Sequence, residues 1–508
     1  MRFKFTLFLF SAFFLSAKGQ FQRTYGKVSQ DIVYSMCKAG NGNYGLAGTS
    51  NNYGGANYFF LFKIDPAGDT LWMKGYPINA VNGHCISYSS DGGFVIAGST
   101  GIFKADSNGN SQWGITSTSM QFNSVQQTSD GGYIAGGTIG FSSSSNGVDI
   151  YLLKLNSFGI KQWSRQYGDS LDDVCSSIIQ TNDGGYISVG HTSSFGAGGM
   201  DIYVLKLNSS GDTLWTKTYG GTNADGNSNW KDVIHQTKDK GYIIGSTTVS
   251  FGTGNADAYL IKTDSLGNLQ WSKAYGGALA EVLYDVKEVS NSGYIFTASS
   301  TSFGGASDFY TVRINTNGDT LWTRTYGGVN IETPGSIEER ADKGFVIAGY
   351  TKSFGAGNND AYVIWIDSLG NTSCNQKSTT TTVTNCATIQ NSSPTNKTFI
   401  TLNVSNFSPT PKRGGSFTDP CVLNDIESAH AENTFKAFPN PNNGVFSISL
   451  GNLPCKIKIT ASNLLGEVIY SGVKENNSVI DLSGFSNGIY LLKAEGETTF
   501  TKQIIINK

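Results

Sequence analysis

The sequence predicts an all-β repeat fold, and three observations carry that prediction. Seven aromatic residues, Tyr44, Phe94, Tyr133, Tyr186, Tyr242, Tyr294 and Phe345, each follow an Asp/Asn/Gly cluster and open a short apolar run. Their intervals are 50, 39, 53, 56, 52 and 51 residues. A period of about fifty marks an array of supersecondary units, each hiding its apolar face on its neighbours. Composition agrees: 63 of 508 residues are Gly, 12% are aromatic and 15% charged, as expected of short strands joined by tight turns. Finally, a five-residue Asp/Asn-x-x-Gly-x hairpin recurs, at Asp65–Asp69, Asp106–Asn110, Asn156–Ile160, Asn208–Asp212, Asp264–Asn268, Asn315–Asp319 and Asp367–Asn371.

One unit, from Asp173 to Tyr219, shows the elements in order. Val174 to Gln180 reads as a strand, Asn182 to Gly185 as a turn and Tyr186 to Gly190 as a second strand. A loop, Ser194 to Asp201, leads to a third strand, Ile202 to Leu207. The hairpin Asn208–Asp212 turns into a fourth, Leu214 to Tyr219. In these turns Asp or Asn bonds its own backbone two residues on, and Gly takes the positive-φ position. Four strands per unit, seven times, predict a seven-bladed β-propeller over residues 20–372. The seventh unit lacks its fourth strand. Phe21-Gln22-Arg23-Thr24-Tyr25-Gly26 matches Trp322-Thr323-Arg324-Thr325-Tyr326-Gly327, so the N-terminal strand is expected to complete the last blade and close the ring.

Four residues after the hairpin Gly, six units carry a Trp: Trp72, Trp113, Trp163, Trp215, Trp271 and Trp322. A sugar-stacking role is one reading; regular recurrence favours packing between blades. Asp-x-x-Gly-x-x-x-Trp resembles the docking motif of quinoprotein propellers, with an Asp-to-Gly spacing one residue shorter, and is similar in logic to the Asp-box hairpins of sialidases. Both resemblances cover the hairpin alone and imply fold, not chemistry.

Alternating strands sort the connections onto two faces. The tight turns share one, the turn face. The Ser-Phe-Gly loops and the Tyr-Gly-Gly crossovers share the other, the loop face, where binding is expected. The candidate ligand residues are therefore Phe195, Phe251, Phe303 and Phe354 of the Ser-Phe-Gly loops, with Asp225, Asn227 and Trp230 of the lengthened crossover into the fifth unit. Trp230 is off-pattern and could stack a sugar or plug its own loop. Asp149, Asp201, Asp257, Asp308 and Asp360 stand ahead of third strands; they either cap that turn, the favoured reading, or bind calcium, the one cofactor contemplated. The second unit omits its Ser-Phe-Gly loop.

A net charge of −2 provides no broad basic field for nucleic acid or anionic membranes. Seven Cys and four His show no CxxC or HExxH spacing, so no metal site is expected. No nucleophile elbow or phosphate-cradling Gly loop is present. Asp106 to Asn110 fits a calcium loop poorly. His84, His191 and His235 occupy unlike repeat positions, with no carboxylate constellation evident, so no catalytic residue is assigned.

The two ends speak of destination. Arg2 and Lys4, the apolar stretch Phe5 to Leu15 and Ala17-Lys18-Gly19 read as a signal peptide over residues 1–19, too short for a membrane span. Residues 373–430 read as a Ser/Thr/Asn-rich linker, in which two of Cys374, Cys386 and Cys421 could pair. From residue 431 compact patterning returns: Pro439, Asn440, Pro441, Gly444, alternating Phe446, Ile448 and Leu450, then Gly466, Asp481, Gly488, Tyr490 and Lys502. This tail closely resembles the type A C-terminal sorting domain of type IX secretion cargo in the Bacteroidetes. The resemblance implies a small β-sandwich over residues 431–508, passage through the periplasm, and release or attachment at the outer surface. Six Asp-Thr/Ser-Leu triplets, from Asp69-Thr70-Leu71 to Asp367-Ser368-Leu369, resemble the O-glycosylation sequon of that phylum, though turn chemistry explains those in hairpins.

The resulting expectation is a secreted or surface-displayed, monomeric, non-catalytic propeller that binds a glycan or a protein through its loop face and meets the type IX secretion machinery. The rivals are an exported polysaccharide-active enzyme with a site in the central funnel, which a titratable cluster converging there would favour, and a structural adhesion protein.

Overall fold

The structure is a computed structural model. It describes residues 20–52, 58–76, 83–117, 119–140, 147–226 and 231–391, and beyond these 396–398, 405–406, 412–413, 416–418, 436–438, 442–449, 456–463, 467–475, 478–495 and 499–508. The expected signal peptide lies outside the described residues. Two compact units divide the chain, Met1–Val422 and Leu423–Lys508.

The first unit contains seven five-stranded antiparallel sheets and, among the described residues, no α-helix. The unit read from sequence is representative: Asp173–Gln180, Tyr186–Thr192, Asp201–Leu207 and Thr213–Gly220 pair in that order. In the last sheet the fourth place is held by Phe21–Gly26, which pairs with Asp360–Ile366 in the register Phe21 to Trp365 through Tyr25 to Ala361. Each first strand packs against the first strand of the next sheet, and the seventh against that of the first sheet.

Packing between sheets explains the repeat. Each docking Trp lies against the hairpin Gly of the following sheet and meets that sheet's repeat aromatic at its edge. Trp271 donates from Nε1 to Thr316 O at 3.1 Å and stands 6.1 Å from Tyr294 at 60°; Trp322 donates to Ser368 O and meets Phe345. A Cβ on Gly318 would approach Trp271 to 3.2 Å, and its φ is +78°, so Gly satisfies both the turn and the docking. The Tyr of Tyr-Gly anchors the same hairpin: Tyr275 donates to Gly318 O at 2.7 Å and Tyr25 to Gly68 O at 2.6 Å. At the seventh-to-first junction no docking Trp exists. Phe21 stacks on Trp365 at 4.3 Å, and both rings abut Gly68.

The fifth strand of every sheet was not expected. Seven short strands inside the segment read as a linker run past the outer edges in reverse order. Gln376–Ser378, Thr382–Asn385, Ile389–Asn391, Asn396–Thr398, Ser405–Asn406, Lys412–Arg413 and Ser416–Thr418 add to sheets six, five, four, three, two, one and seven. These strands form a belt belonging to the first unit. It caps edges that would otherwise present unpaired backbone groups. Cys374, at its start, is disulfide-bonded, whereas Cys386 is free.

The second unit has a three-stranded sheet, Lys436–Phe438, Val445–Ser449 and Val479–Asp481, and a four-stranded sheet of Val468–Glu475, Lys456–Ser462, Gly488–Glu495 and Thr499–Ile506. Phe446, Ile448, Ile459, Ile480, Leu492 and Ile504 share one core.

Candidate functional site

The residues predicted to bind do not assemble into one site. Asp225 is 0% exposed. Its carboxylate accepts from Gly221 N, Thr248 Oγ1 and Ser250 Oγ at 2.5–2.6 Å, which locks the crossover and leaves it unavailable to a ligand. Asp31, Asp173, Glu281 and Glu332 lock their crossovers in the same way. Phe195, Phe251, Phe303 and Phe354 are half-buried and lie on Tyr203, Tyr259, Tyr310 and Tyr362 at 5.3–5.8 Å, so their principal contact is the top of each sheet's core. Asn227 and Trp230 lie outside the described residues. Three of the five aspartates ahead of third strands accept from the Ser-Phe-Gly loop, Asp201 from Ala197 and Gly198, Asp257 from Gly254 and Asp360 from Gly357, whereas Asp149 accepts from Gln166 of the fourth strand.

What does converge is an axial cavity of about 300 Å³, lined by the first strands of all seven sheets. Six of these strands carry a β-bulge at one equivalent place, opposite the centre of the second strand. The extra residues are Tyr34, His84, Asn123, Ser176, Tyr284 and Gly335; in the fifth sheet Asp232 stands at the same place, just ahead of strand Val233–Gln236. All seven line the cavity. A bulge re-aims a side chain out of the alternating pattern, and the six bulge residues with Asp232 in register make a ring near the loop face. In four sheets the residue after the bulge stitches to a neighbouring sheet: Ile86 N donates to Ser35 Oγ, Ile178 N to Ser124 Oγ, Met36 N to Ser336 Oγ and Ile337 N to Asp285 Oδ2, at 3.0–3.2 Å.

The ring has two arcs. Tyr34 and Tyr284 flank Gly335, with Tyr350 electrostatically close to both. Opposite lie His84, Asn123, Ser176 and Asp232. Asp232 accepts from Ser176 Oγ at 3.0 Å and Ser246 Oγ at 2.5 Å and faces His191 Nδ1 at 3.4 Å. Burial, reinforced by the Lys231 ammonium, lowers His84 to about 4, so its ring is neutral at physiological pH.

One and three residues further along, nearer the turn face, the fifth to seventh sheets place a charged group. Asp285 lies 3.5 Å from Lys287 Nζ and 3.8 Å from His235 Nε2; Lys287 lies 3.6 Å from Glu338, which Lys38 approaches to 3.7 Å. Burial pushes the Asp285 carboxyl up, but Lys287 and His235 outweigh it and hold it below its usual range. Burial likewise disfavours the Lys287 cation, yet Asp285 and Glu338 hold it above its ordinary value. Burial, with Lys287 beside it, lowers His235. Burial raises the thiols of Cys37 and Cys85, which argues against a thiolate nucleophile. Sequence alone pairs no carboxylate with the histidines; the fold supplies Asp232 to His191 and Asp285 to His235. Among the described residues no group of three or more His, Cys, Asp or Glu could hold a metal ion.

In the second unit Gly444 has φ +100°, and its N–H donates to Asn442 Oδ1 at 2.7 Å. Asp481 accepts from Ser483 N at 2.8 Å, Tyr490 donates to Ser486 O at 2.9 Å, and Gly488 and Lys502 pair with Ile506 and Leu492. Pro439, Asn440, Pro441 and Gly466 lie outside the described residues. Residues 436–507 match the family described as the secretion system C-terminal sorting domain. The tail is a sorting signal. It directs the chain to the cell surface or the extracellular space and implies contact with the type IX secretion machinery; no helix among the described residues is long and apolar enough to cross a membrane. No curated protein matches the chain. Solved structures similar to it include a protein of unknown function from Bacteroides caccae (10% identity, 60% of this chain and 93% of that one, TM-score 0.34). Others are the extracellular domain of a one component system from B. thetaiotaomicron (12%, 96% and 58%, TM-score 0.39) and the Pan2 WD40 domain of Neurospora crassa (10%, 68% and 95%, TM-score 0.37).

Proposed function

We propose that this chain is a secreted or surface-displayed β-propeller of seven blades, closed by strand Phe21–Gly26, that binds the end of a glycan at the loop-face mouth of its axial cavity without catalysis. The ring of bulged residues carries the reading. Aromatic walls at Tyr34 and Tyr284, facing hydrogen-bonding groups at His84, Asn123 and Ser176, are the surfaces a sugar uses, since its C–H faces pack on rings and its hydroxyls bond amides and hydroxyls. A cavity of about 300 Å³ suits a terminal sugar better than a folded protein surface. Calcium would add to this only by stiffening the loop face.

The test is a glycan-array screen of the full secreted chain, with and without calcium, against the double variant Tyr34→Ala/Tyr284→Ala and against Trp230→Ala. Binding lost in the double variant, with its melting temperature kept, supports the cavity mouth. Binding lost only in Trp230→Ala moves the site to the fifth-unit crossover. Absence of any glycan binding leaves a protein ligand or a structural role.

The group of Asp285, His235, Lys287 and Glu338 gives the enzymatic rival its one specific support. Its members are spent on one another and on Ile337 N–H, so none is poised alone as acid or base. Release of reducing ends from polysaccharide, abolished in Glu338→Gln, would overturn the non-catalytic reading.

A further inference from the structure

Lys231 stands apart from the other charged groups of the cavity. It leads into the first strand of the fifth sheet, yet its ammonium donates to His84 O of the second sheet at 3.4 Å and lies 5.9 Å from the Tyr34 ring of the first. The side chain therefore crosses the lumen at the level of the bulge ring. Among the described residues no carboxylate lies within ion-pairing distance of it. The adjacent Asp232 is turned away, held by Ser176, Ser246 and His191, and Asp285 sits nearer the turn face with Lys287 as its own partner. Lys287, by contrast, has two carboxylates. A half-buried cation whose direct contacts are a carbonyl and a ring face, with Asp285 acting on it only from beyond ion-pairing distance, is left short of its natural counter-charge. Burial accordingly disfavours its charged form, a penalty that an incoming anion would relieve.

We infer that Lys231 makes the cavity mouth selective for an anionic sugar, one whose ring carries a single oxyanion, with Tyr34 packing the sugar face. This rests on the glycan reading above. A lysine ammonium is a point charge with three donors, so it accepts a planar carboxylate or a tetrahedral sulfate ester alike. The neutral His84 ring beside it adds a hydrogen-bonding edge without competing charge.

The experiment is titration calorimetry of the full secreted chain with three matched oligosaccharide probes: one ending in a uronate, one in a sulfated sugar and one neutral. The uronate or sulfated probe should bind at least about tenfold tighter than the neutral one at low salt, as expected of one charge-assisted contact, and the margin should shrink as salt rises. Lys231→Met should erase that margin while retaining neutral binding, and Lys231→Arg should restore most of it. Equal affinity for all three, or a margin unchanged in Lys231→Met, overturns this inference and leaves the glycan reading standing. No binding of any probe overturns both. Which charged probe wins assigns the oxyanion as carboxylate or sulfate.

Discussion

Replacing Asp308 by Asn should stabilise the protein at neutral pH, although the side chain is buried. Asp308 opens a third strand and is 3% exposed. A Cβ built on Gly327 would lie 2.0 Å from Asp308 Oδ1 and 2.6 Å from Glu332 Oε2, so two carboxylates from successive sheets converge on one glycine. Asp308 Oδ1 receives no hydrogen bond while both groups are ionised; only a shared proton would bond it to Glu332. Burial first, and the Glu332 charge second, raise Asp308 from 3.8 to about 6, while Lys377 on the belt offsets part of this. An acid whose folded value is raised binds more protons folded than unfolded, so its ionisation is a penalty on folding. That penalty is fully present above about pH 6 and fades as pH falls toward 4. At about 1.36 kcal/mol per pH unit the rise corresponds to at most about 3 kcal/mol. Asn removes the repulsion and can donate to Glu332. Denaturant unfolding of the full chain at pH 8 should therefore show Asp308→Asn more stable by about 1–3 kcal/mol, with the advantage vanishing near pH 4. A variant less stable at pH 8, with a loss that chelator reproduces in the wild type, would refute the repulsion and place a cation between the carboxylates.

Three further outcomes follow from the packing. Trp271→Ala should cost about 2–3 kcal/mol, below the ~3–5 of a fully buried Trp because the ring is half-exposed, and thermal unfolding checks it. Gly318→Ala forces a Cβ to 2.9 Å from Tyr275 Oη at φ +78°; unfolding should show a loss of about 1–3 kcal/mol, and a neutral result would mean that the hairpin relaxes. A chain ending at residue 372 lacks the fifth strand of all seven sheets and should self-associate in sedimentation where one ending at 422 does not; two equally monomeric and equally stable chains would show the belt to be incidental.

Legibility followed the range of the interactions. The four strands of each unit and their turns were readable because Asn, Asp and Gly at fixed offsets act within five residues, as in Asn208 to Asp212. The docking Trp was readable because its partner Gly recurs one unit later. The belt was not. Its strands span two to four residues, and Thr379 to Thr382 looks like any polar spacer. What recruits it is the unpaired backbone edge of a formed sheet, which has no side-chain signature. The bulge ring was missed for a related reason: Tyr34, His84 and Asn123 sit within runs that read as plain strands. A signal was present, since aligning first strands shows that Asp285, Lys287 and Glu338 carry charge where most other units have uncharged residues such as Ser, Cys, Gln, Val or Ile, yet nothing local says that these positions face one lumen.

Asp225 makes the same point in reverse. An acidic residue in an Asn-rich crossover reads as a ligand group, whereas its equivalence to Asp31, Asp173, Glu281 and Glu332 makes it the lock of its own loop. By itself the sequence determined the all-β repeat, the hairpin chemistry, the docking contacts and, through its tail, the export route, because propensity, turn geometry and neighbouring-unit packing are short-range and repeat with the chain. Only tertiary structure decided the belt, the lumen and the crossing of Lys231 to His84. These depend on which surfaces meet once seven sheets stand around one axis, bringing together residues some fifty to three hundred positions apart.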